Sequence, residues 1–174
     1  KALKPLFLMT MKPILYVANV ADDDLDGEGE LASQVAAHAK ETASEWIPIC
    51  GDLEVELRTL EEGERQIFME DLGVEELGLN RLIQASYMLL GLQTYFTAGE
   101  KEIRAWTVHQ GDTAPVGAGV IHSDFEKKFI RAEVYSVGDL EEYATEAAVK
   151  AAGKLRTEGR DYVLQDGDIC HFLL

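Results

Sequence analysis

The sequence has 174 residues, 47% of them hydrophobic, with 16 Lys and Arg against 32 Asp and Glu and a formal charge of −16. This composition excludes general disorder and predicts one or two packed domains, of which two small ones fit best. Taken as a whole, so acidic a chain is not a binder of polyanions. Residues 92–174 carry 9 basic and 14 acidic residues, against 7 and 18 in residues 1–91, so the second half repels phosphate less.

The cysteine pattern and the apolar runs restrict the class of protein further. Cys50 and Cys170 stand far apart without CxxC or histidine-rich spacing, which argues against a zinc site and against a disulfide scaffold. No apolar run approaches the roughly 20 residues of a membrane span, and the opening KALKPLFLMTMKP, broken by two prolines, is unlike a signal peptide. We therefore expect a cytoplasmic protein without a membrane partner. Because it starts at Lys1 rather than at Met, a piece of a longer protein is one expectation.

The first elements in chain order predict a strand, a helix and a strand. Residues 13–19 form a near-continuous apolar run, typical of a strand covered on both faces in a parallel sheet. Helical spacing of apolar residues predicts a helix between Glu30 and Ser44, and residues 46–50 predict a second short strand. Strand, helix and strand together indicate a βαβ unit.

Two further helices are predicted before the middle of the chain. Thr59 and Glu62 have the spacing of a capping box, which predicts a helix that ends at Gly73. An apolar stripe predicts another helix over residues 79–90, and Gly91 ends it. We place a domain boundary at that glycine.

After residue 92 the sequence consists of shorter segments, several with alternating apolar and polar residues as in strands. Together with the predicted helices they indicate an α+β domain. Gly117 and Gly119 lack the third glycine of a dinucleotide fingerprint, so we interpret them as a tight turn. Ser123 and Glu126 predict the cap of a short helix. The other predicted elements are strands at 94–97 and 103–108, a helix starting at 112–115, a strand at 130–137, helices at 139–143 and 146–155, and a closing pair of strands at 162–164 and 169–173.

The stretch ILYVANVADDD brings an apolar strand to its end at Asn19, three residues before Asp22. Ligands of open parallel sheets lie outside the carboxyl ends of the strands. A carboxamide offers a donor and an acceptor side by side, which suits the edge of a purine, and a carboxylate accepts from ring N–H or amino groups. The pattern therefore suits base recognition, although the same residues are also typical of an ordinary turn after a strand. No GxxxxGK[ST] phosphate loop occurs in the sequence.

Basic residues in the second half form a candidate surface for RNA or another partner. Its members are Arg104, Lys127, Lys128 and Arg131, with Lys150, Lys154, Arg156 and Arg160 adding to it if folding brings them together. The alternative is a set of solvated charges, because acidic residues are interleaved among them.

Five segments carry a resemblance to a known family. They are KPILYVANVADDD, IPIC, the long stretch from ERQIFMEDLG to EIRAWTV, APVGAGVIHSDFEKKFIRAEV, and AAGKLRTEGRDYVLQDGDICHFLL. In this order they resemble the C-terminal portion of the YchF (Obg-like) ATPases, which are P-loop NTPases. The resemblance implies an α/β part followed by an α+β part. Residues 1–58 would be the C-terminal βαβ remnant of the nucleotide-binding domain, 59–91 a helical connector, and 92–174 a TGS domain with the β-grasp (ubiquitin-like) fold.

The resemblance also implies which residues contact a nucleotide, ATP or GTP. Asn19, Val20 and Asp22 match the family's base-recognition motif Asn-x-x-Glu, with Asp22 in place of the glutamate. Val20 stands where guanine-specific proteins usually have a lysine. The stretch from Cys50 through Gly51 to Asp52 falls on the family's last nucleotide motif, whose backbone N–H groups approach the base.

The parts that hydrolyse nucleotide in such proteins would precede Lys1. We therefore predict no catalytic or metal-ligating residue in this chain, and expect Mg²⁺ only where the missing N-terminal part is present. The implied function is the C-terminal portion of a ribosome-associated ATPase or GTPase. The alternative is a non-enzymatic module that binds RNA, the ribosome or a protein.

Overall fold

The computed structural model describes residues 4–99 and 102–174, so the first three residues of the opening segment lie outside it. The chain is a mixed α/β protein and divides into two compact units, one up to Leu90 and one from Gly91. Each unit has its own sheet and its own helices. No helix of the described ranges is long and apolar enough to cross a membrane.

The first unit contains the predicted strand, helix and strand. After two 3-10 turns, at Lys4–Leu6 and Met9–Met11, its elements are β1 (Leu15–Asn19), α1 (Glu30–Glu41), β2 (Glu45–Ile49), α2 (Gly51–Thr59), α3 (Glu62–Asp71) and α4 (Gly78–Leu90). The two strands are parallel, with Leu15 opposite Glu45 and Asn19 opposite Ile49. The helix α1 makes the crossover between them, so the βαβ unit is confirmed.

The sequence prediction missed α2 and misplaced the start of α3. Thr59 is the last residue of α2, and its hydroxyl donates to the Glu56 carbonyl at 2.7 Å rather than capping a helix. The residue before α3 is Glu61, which makes no side-chain cap. The capping-box prediction was therefore wrong, because Thr59 closes one helix instead of opening the next.

The second unit is a five-stranded mixed sheet with helices on both faces. Its elements are β3 (Leu92–Ala98), β4 (Ile103–His109), α5 (Ala114–Ile121), α6 (Ser123–Lys128), β5 (Arg131–Ser136), α7 (Val137–Tyr143), α8 (Glu146–Ala151), β6 (Arg156–Glu158) and β7 (Asp168–Leu173). The strand order is β4-β3-β7-β5-β6, and only β3 and β7 are parallel.

Alternation along the strands gives this sheet two separate apolar faces. Tyr95, Val134 and Cys170 belong to one cluster, which α5 and α6 cover. Tyr135 and Ile169 belong to the other, which α7 and α8 cover. Successive residues of a strand point to opposite faces, so neighbours in sequence enter different cores.

Three predictions in this unit are corrected. Residues 162–164 form no strand; β7 pairs with β5 and β3, and the short strand β6 lies at 156–158 instead. Gly117 and Gly119 lie inside α5 rather than in a turn. A Cβ on Gly117 would lie 2.4 Å from Leu164 Cδ1, so close packing explains this glycine. The cap of α6 is His122, whose Nδ1 accepts from Asp124 N–H at 3.2 Å, and not Ser123.

Candidate functional site

The ends of β1 and β2 bring two of the predicted site segments together. Asn19 is the last residue of β1, and Cys50 and Gly51 follow β2 directly. The Asn19 Oδ1 accepts a hydrogen bond from Gly51 N–H at 3.1 Å. Because the strands are parallel and in register here, their carboxyl ends meet at one edge of the sheet.

This hydrogen bond fixes how the Asn19 carboxamide is oriented. An N–H group can only donate, so the carboxamide oxygen must face Gly51 and the amide NH₂ must face away from it. Asn19 is exposed to solvent. The NH₂ group makes no hydrogen bond with residues 4–99 and 102–174, so it is a pair of donors open to solvent at the rim of the sheet.

Two aspartates in the loop after β1 differ in their hydrogen bonds. Asp22 is exposed, and its carboxylate makes no hydrogen bond or ion pair with any residue in the described ranges. Asp24 Oδ1 accepts from Gly29 N–H at 2.7 Å, directly before α1 begins at Glu30. Asp24 thus has a structural role at the helix start, whereas the Asp22 carboxylate remains available as an acceptor.

Two clefts open beside these strand ends. The larger has a volume of about 820 Å³ and is lined by Asn19, Val20 and part of α1. The smaller has about 260 Å³ and is lined by Cys50 and residues of α2 and the segment before α4. Neither lining includes Asp22, Gly51 or Asp52. The predicted site residues therefore lie around the carboxyl ends of β1 and β2 rather than inside one closed pocket.

Helix α4 braces the end of β2 and the start of α2, on either side of Cys50. Glu54, in α2, accepts from Gly78 N–H and Leu79 N–H at the start of α4. Arg81, one turn further on, donates to the Pro48 carbonyl at 2.6 Å. Sequence analysis missed both residues, and no local signal could have found them, since the partners are 24 to 33 residues apart.

The predicted basic residues of the second unit do not share one face. Arg104 lies over the Trp106 ring at 4.3 Å, on the side of the sheet that α5 covers. Arg131 alternates with Ala132 and lies on the face of Tyr135, which is the opposite one. Arg104 and Arg131 therefore do not share one face of the sheet, because Arg131 lies on the face opposite to the one that α5 and α6 cover.

The remaining cysteine offers no reactive thiol. Burial raises the pKa of Cys170, which is 2% exposed, so the thiol stays protonated at neutral pH. Within residues 4–99 and 102–174, no three His, Cys, Asp or Glu side chains are arranged to hold a metal ion.

Comparisons with known proteins bear on this arrangement. Residues 92–174 match the family model YchF-GTPase_C, whose description is "Protein of unknown function (DUF933)". Over 174 residues the chain is 52% identical to the Ribosome-binding ATPase YchF of Bacillus subtilis (strain 168), covering 99% of this chain and 48% of that protein. Over nearly its whole length, this chain is similar to the C-terminal portion of YchF proteins. The resemblance inferred from the sequence motifs is confirmed.

Other YchF proteins match over the same extent. The chain is 49% identical over 172 residues to the Ribosome-binding ATPase YchF of Escherichia coli O157:H7. That alignment covers 99% of this chain and 47% of the E. coli protein. The structure of the Schizosaccharomyces pombe YchF GTPase matches with a TM-score of 0.82 and 36% identity, covering 98% of this chain and 46% of that one. The chain thus spans about half the length of the YchF relatives it matches.

Proposed function

We propose that this chain is the C-terminal portion of a ribosome-binding YchF-type ATPase or GTPase, and that it supplies the edge of the site that reads the nucleotide base. The observation that carries the proposal is the hydrogen bond between Asn19 Oδ1 and Gly51 N–H. It joins the two segments expected to contact the base and leaves the amide NH₂ of Asn19 free.

The free NH₂ of Asn19 matches a feature that adenine and guanine share. Both bases present N7 as an acceptor, whereas pyrimidines have no equivalent atom. A hydrogen bond from Asn19 Nδ2 to N7 therefore selects purines without choosing between them. The exposed position of Asn19 at the strand end allows this approach.

Asp22 is the residue proposed to choose between ATP and GTP. Guanine offers a ring N–H and an amino group on one edge, and both can donate to a single carboxylate. Adenine offers only its amino group on the corresponding edge. The unengaged carboxylate of Asp22 suits a base donor, while Val20 and the backbone of Cys50, Gly51 and Asp52 would border the ring.

Hydrolysis would depend on groups that this chain does not supply. Phosphoryl transfer requires a phosphate-cradling loop, a Mg²⁺ site and a residue that positions water. We place these parts in the preceding region of the intact protein and expect the isolated chain to be inactive. The name of the bacterial relatives, Ribosome-binding ATPase, supports a cytoplasmic enzyme that associates with ribosomes.

For the second unit we propose a TGS domain with the β-grasp fold. Counted within the unit, its strand order is 2-1-5-3-4, with the first and last strands parallel at the centre, which supports this assignment. In the same proposal, residues 1–58 complete the nucleotide-binding domain and residues 59–91 connect the two. The ribosome would be a partner of the second unit.

Nucleotide titration of the intact protein tests the base-reading role. Asn19→Ala should weaken ATP or GTP binding by about tenfold or more, because one hydrogen bond to the base and the brace on Gly51 are both lost. Asn80→Ala is the matched control, since Asn80 is exposed on α4 and is the only other asparagine of the sequence. Unchanged affinity in Asn19→Ala would overturn the proposal.

A second candidate is a non-enzymatic module that binds the ribosome, RNA or a protein. The exposed basic residues of the second unit favour it. It predicts that ribosome association survives Asn19→Ala and does not respond to added nucleotide. The leading proposal predicts that nucleotide changes the amount of protein that sediments with ribosomes.

A further inference from the structure

Two contacts from the first turn of α4 hold the stretch that we propose borders the base. Arg81 Nη2 donates to the Pro48 carbonyl at 2.6 Å. Glu54 accepts from the N–H groups of the first two residues of α4. Residues 50–52 lie between these two points of attachment. We refer to the two contacts together as the α4 clamp.

The Arg81 contact lies on the edge of β2 that faces away from β1. Within the described ranges, β2 pairs with β1 and with no other strand. The Ile49 carbonyl faces β1, since it accepts from Val20 N–H at 3.0 Å. Successive carbonyls of a strand point to opposite edges, so the Pro48 carbonyl faces outward, where Arg81 reaches it. The end of β2 is therefore held from both edges, by the loop after β1 and by α4.

The position of this strand end decides where the Asn19 carboxamide points. Gly51 N–H donates to Asn19 Oδ1 at 3.1 Å, three residues after Pro48. A Cβ on Gly51 would lie 3.3 Å from the same oxygen, so the two groups meet closely. A hydrogen bond weakens steeply once its angle falls below about 120°, so a rotation of the backbone at Gly51 would release the carboxamide. Its NH₂ group would then lose the orientation that we propose for binding N7 of a purine.

Stability alone does not account for an arginine at position 81. The Arg81 Nε is buried and has no hydrogen-bond partner in the part of the chain that the structure describes. A buried donor without a partner lowers the free energy of unfolding. The hydrogen bond from Arg81 to Pro48 offsets part of that loss. Positioning of the strand end explains this arginine better than a gain in stability does.

We propose that Arg81 is a positioning residue for the preference for purine nucleotides, an inference that rests on the proposed base-reading role of Asn19. Arg81 does not contact the nucleotide. It acts at a distance, because the carbonyl that it holds lies three residues before the N–H that orients Asn19. Glu54 fixes the other end of the same stretch and supports this action.

Titration of the intact protein with ATP, GTP, CTP and UTP tests the inference. Arg81→Met keeps a long apolar side chain but has no donor for the Pro48 carbonyl. It should lower the ratio of affinities for purine over pyrimidine nucleotides by about fivefold. Arg58→Met is the matched control, because Arg58 is an exposed cation in the last turn of α2. It should change the ratio by less than about twofold.

A double variant separates positioning from a merely structural role. Because Arg81 acts through Asn19 in this proposal, Asn19→Ala combined with Arg81→Met should lower the ratio no further than Asn19→Ala alone. A general loss of stability would lower the affinities for all four nucleotides together and leave the ratio unchanged.

Three outcomes would overturn the inference. One is an unchanged ratio in Arg81→Met while Asn19→Ala lowers it. Another is a loss in the double variant equal to the product of the two single losses, since Arg81 would then act independently of Asn19. The third is an equal fall in Arg58→Met, which would indicate net charge alone.

Glu54→Gln decides the matter if Arg81→Met does not fold. Glutamine keeps one acceptor oxygen for the start of α4 but replaces the other with a donor, which loosens the α4 clamp. The ratio should fall by about threefold, and an unchanged ratio would overturn the inference. An unchanged ratio in Asn19→Ala itself would instead contradict the proposed function, so the two failures are distinguishable.

Discussion

The two units of the chain differ in how completely they cover their own apolar residues. In the second unit, Val134 and Val149 have no exposed surface, one on each side of the sheet. In the first, Val17 in β1 is 48% exposed and Leu31 in α1 is 78% exposed. The second unit also exposes some apolar residues, such as Ile103 at 78%, but both faces of its sheet are packed by clusters of its own residues. The open strand of the first fits its proposed place within a larger nucleotide-binding domain.

The largest expected effect is the loss of stability when one buried leucine in each unit is replaced by alanine. Leu57 and Leu164 are both 1% exposed, but Leu164 lies in a nine-residue core cluster and Leu57 in one of three. Leu164→Ala should cost about 4 kcal/mol and Leu57→Ala about 2 kcal/mol, because a sparse cluster collapses around a cavity more easily. Each unit has one tryptophan, Trp46 or Trp106, so fluorescence in urea can follow both transitions.

The proposed difference between the units would be contradicted if Leu57→Ala lowered the free energy of unfolding more than Leu164→Ala. A shift of the Trp106 transition by Leu57→Ala would contradict it in another way. That shift would mean that the two units unfold together rather than separately.

A pair of helical glycines should give the next largest effect, with opposite signs. A Cβ on Gly117 would press on the buried Leu164, so Gly117→Ala should destabilise the second unit by about 1–3 kcal/mol. Gly63, in α3, has no atom within 4 Å of that position. Gly63→Ala should therefore stabilise the first unit by about 0.5–1 kcal/mol. Thermal melts of both variants measure the difference, and stabilisation by Gly117→Ala would contradict the tight packing of α5.

The smallest effect concerns acid stability of the second unit. The hydrogen bond from the Ser136 hydroxyl lowers the pKa of Asp139 below its ordinary value of 3.8, assisted by the Ser136 N–H. A carboxyl group whose pKa is lowered by folding stabilises the folded state at pH values above its ordinary pKa of 3.8. This stabilisation is lost as the pH falls through the pKa of the folded state. Asp139→Asn should therefore flatten the decline of the Trp106 urea midpoint between about pH 5 and pH 2.

Asp124→Asn is the control for that measurement. The Asp124 carboxylate makes no hydrogen bond or ion pair with the residues that the structure describes, so its removal should leave the acid profile unchanged. An equal flattening in both variants would show that net charge, and not the cap of α7, sets the acid limit.

Periodic patterns made part of the fold predictable from the sequence. The βαβ unit and α4 were predicted from apolar runs and from apolar residues at helical spacing, because burying one side of an element places apolar residues at its structural period. Helix α2 was missed because it begins at a glycine and is rich in charge, although Leu53 and Leu57 have helical spacing. Strand β6 was missed because Arg156–Glu158 is a polar edge strand, whose pairing with β5 depends on the backbone.

The candidate site was predictable only where side chains follow strand ends. Asn19 was placed at the carboxyl end of its strand by the rule for parallel sheets, whereas Gly51 was identified by the family resemblance, and a hydrogen bond joins the two in the structure. The bracing contacts of Glu54 and Arg81 join distant segments, which no local pattern encodes. The same applies to Arg160, whose Nη1 donates to the Phe129 carbonyl across 31 residues of sequence.

The most direct test of the central proposal is the nucleotide selectivity of Asn19→Asp in the intact protein. A carboxylate can still accept from Gly51 N–H, but it has no donor for N7 of a purine. The proposal predicts that the ratio of affinities for ATP or GTP over CTP or UTP falls by about tenfold, while the Trp46 unfolding transition is unchanged. An unaltered ratio would contradict the proposal, because Asn19 would then brace the strand end without reading the base.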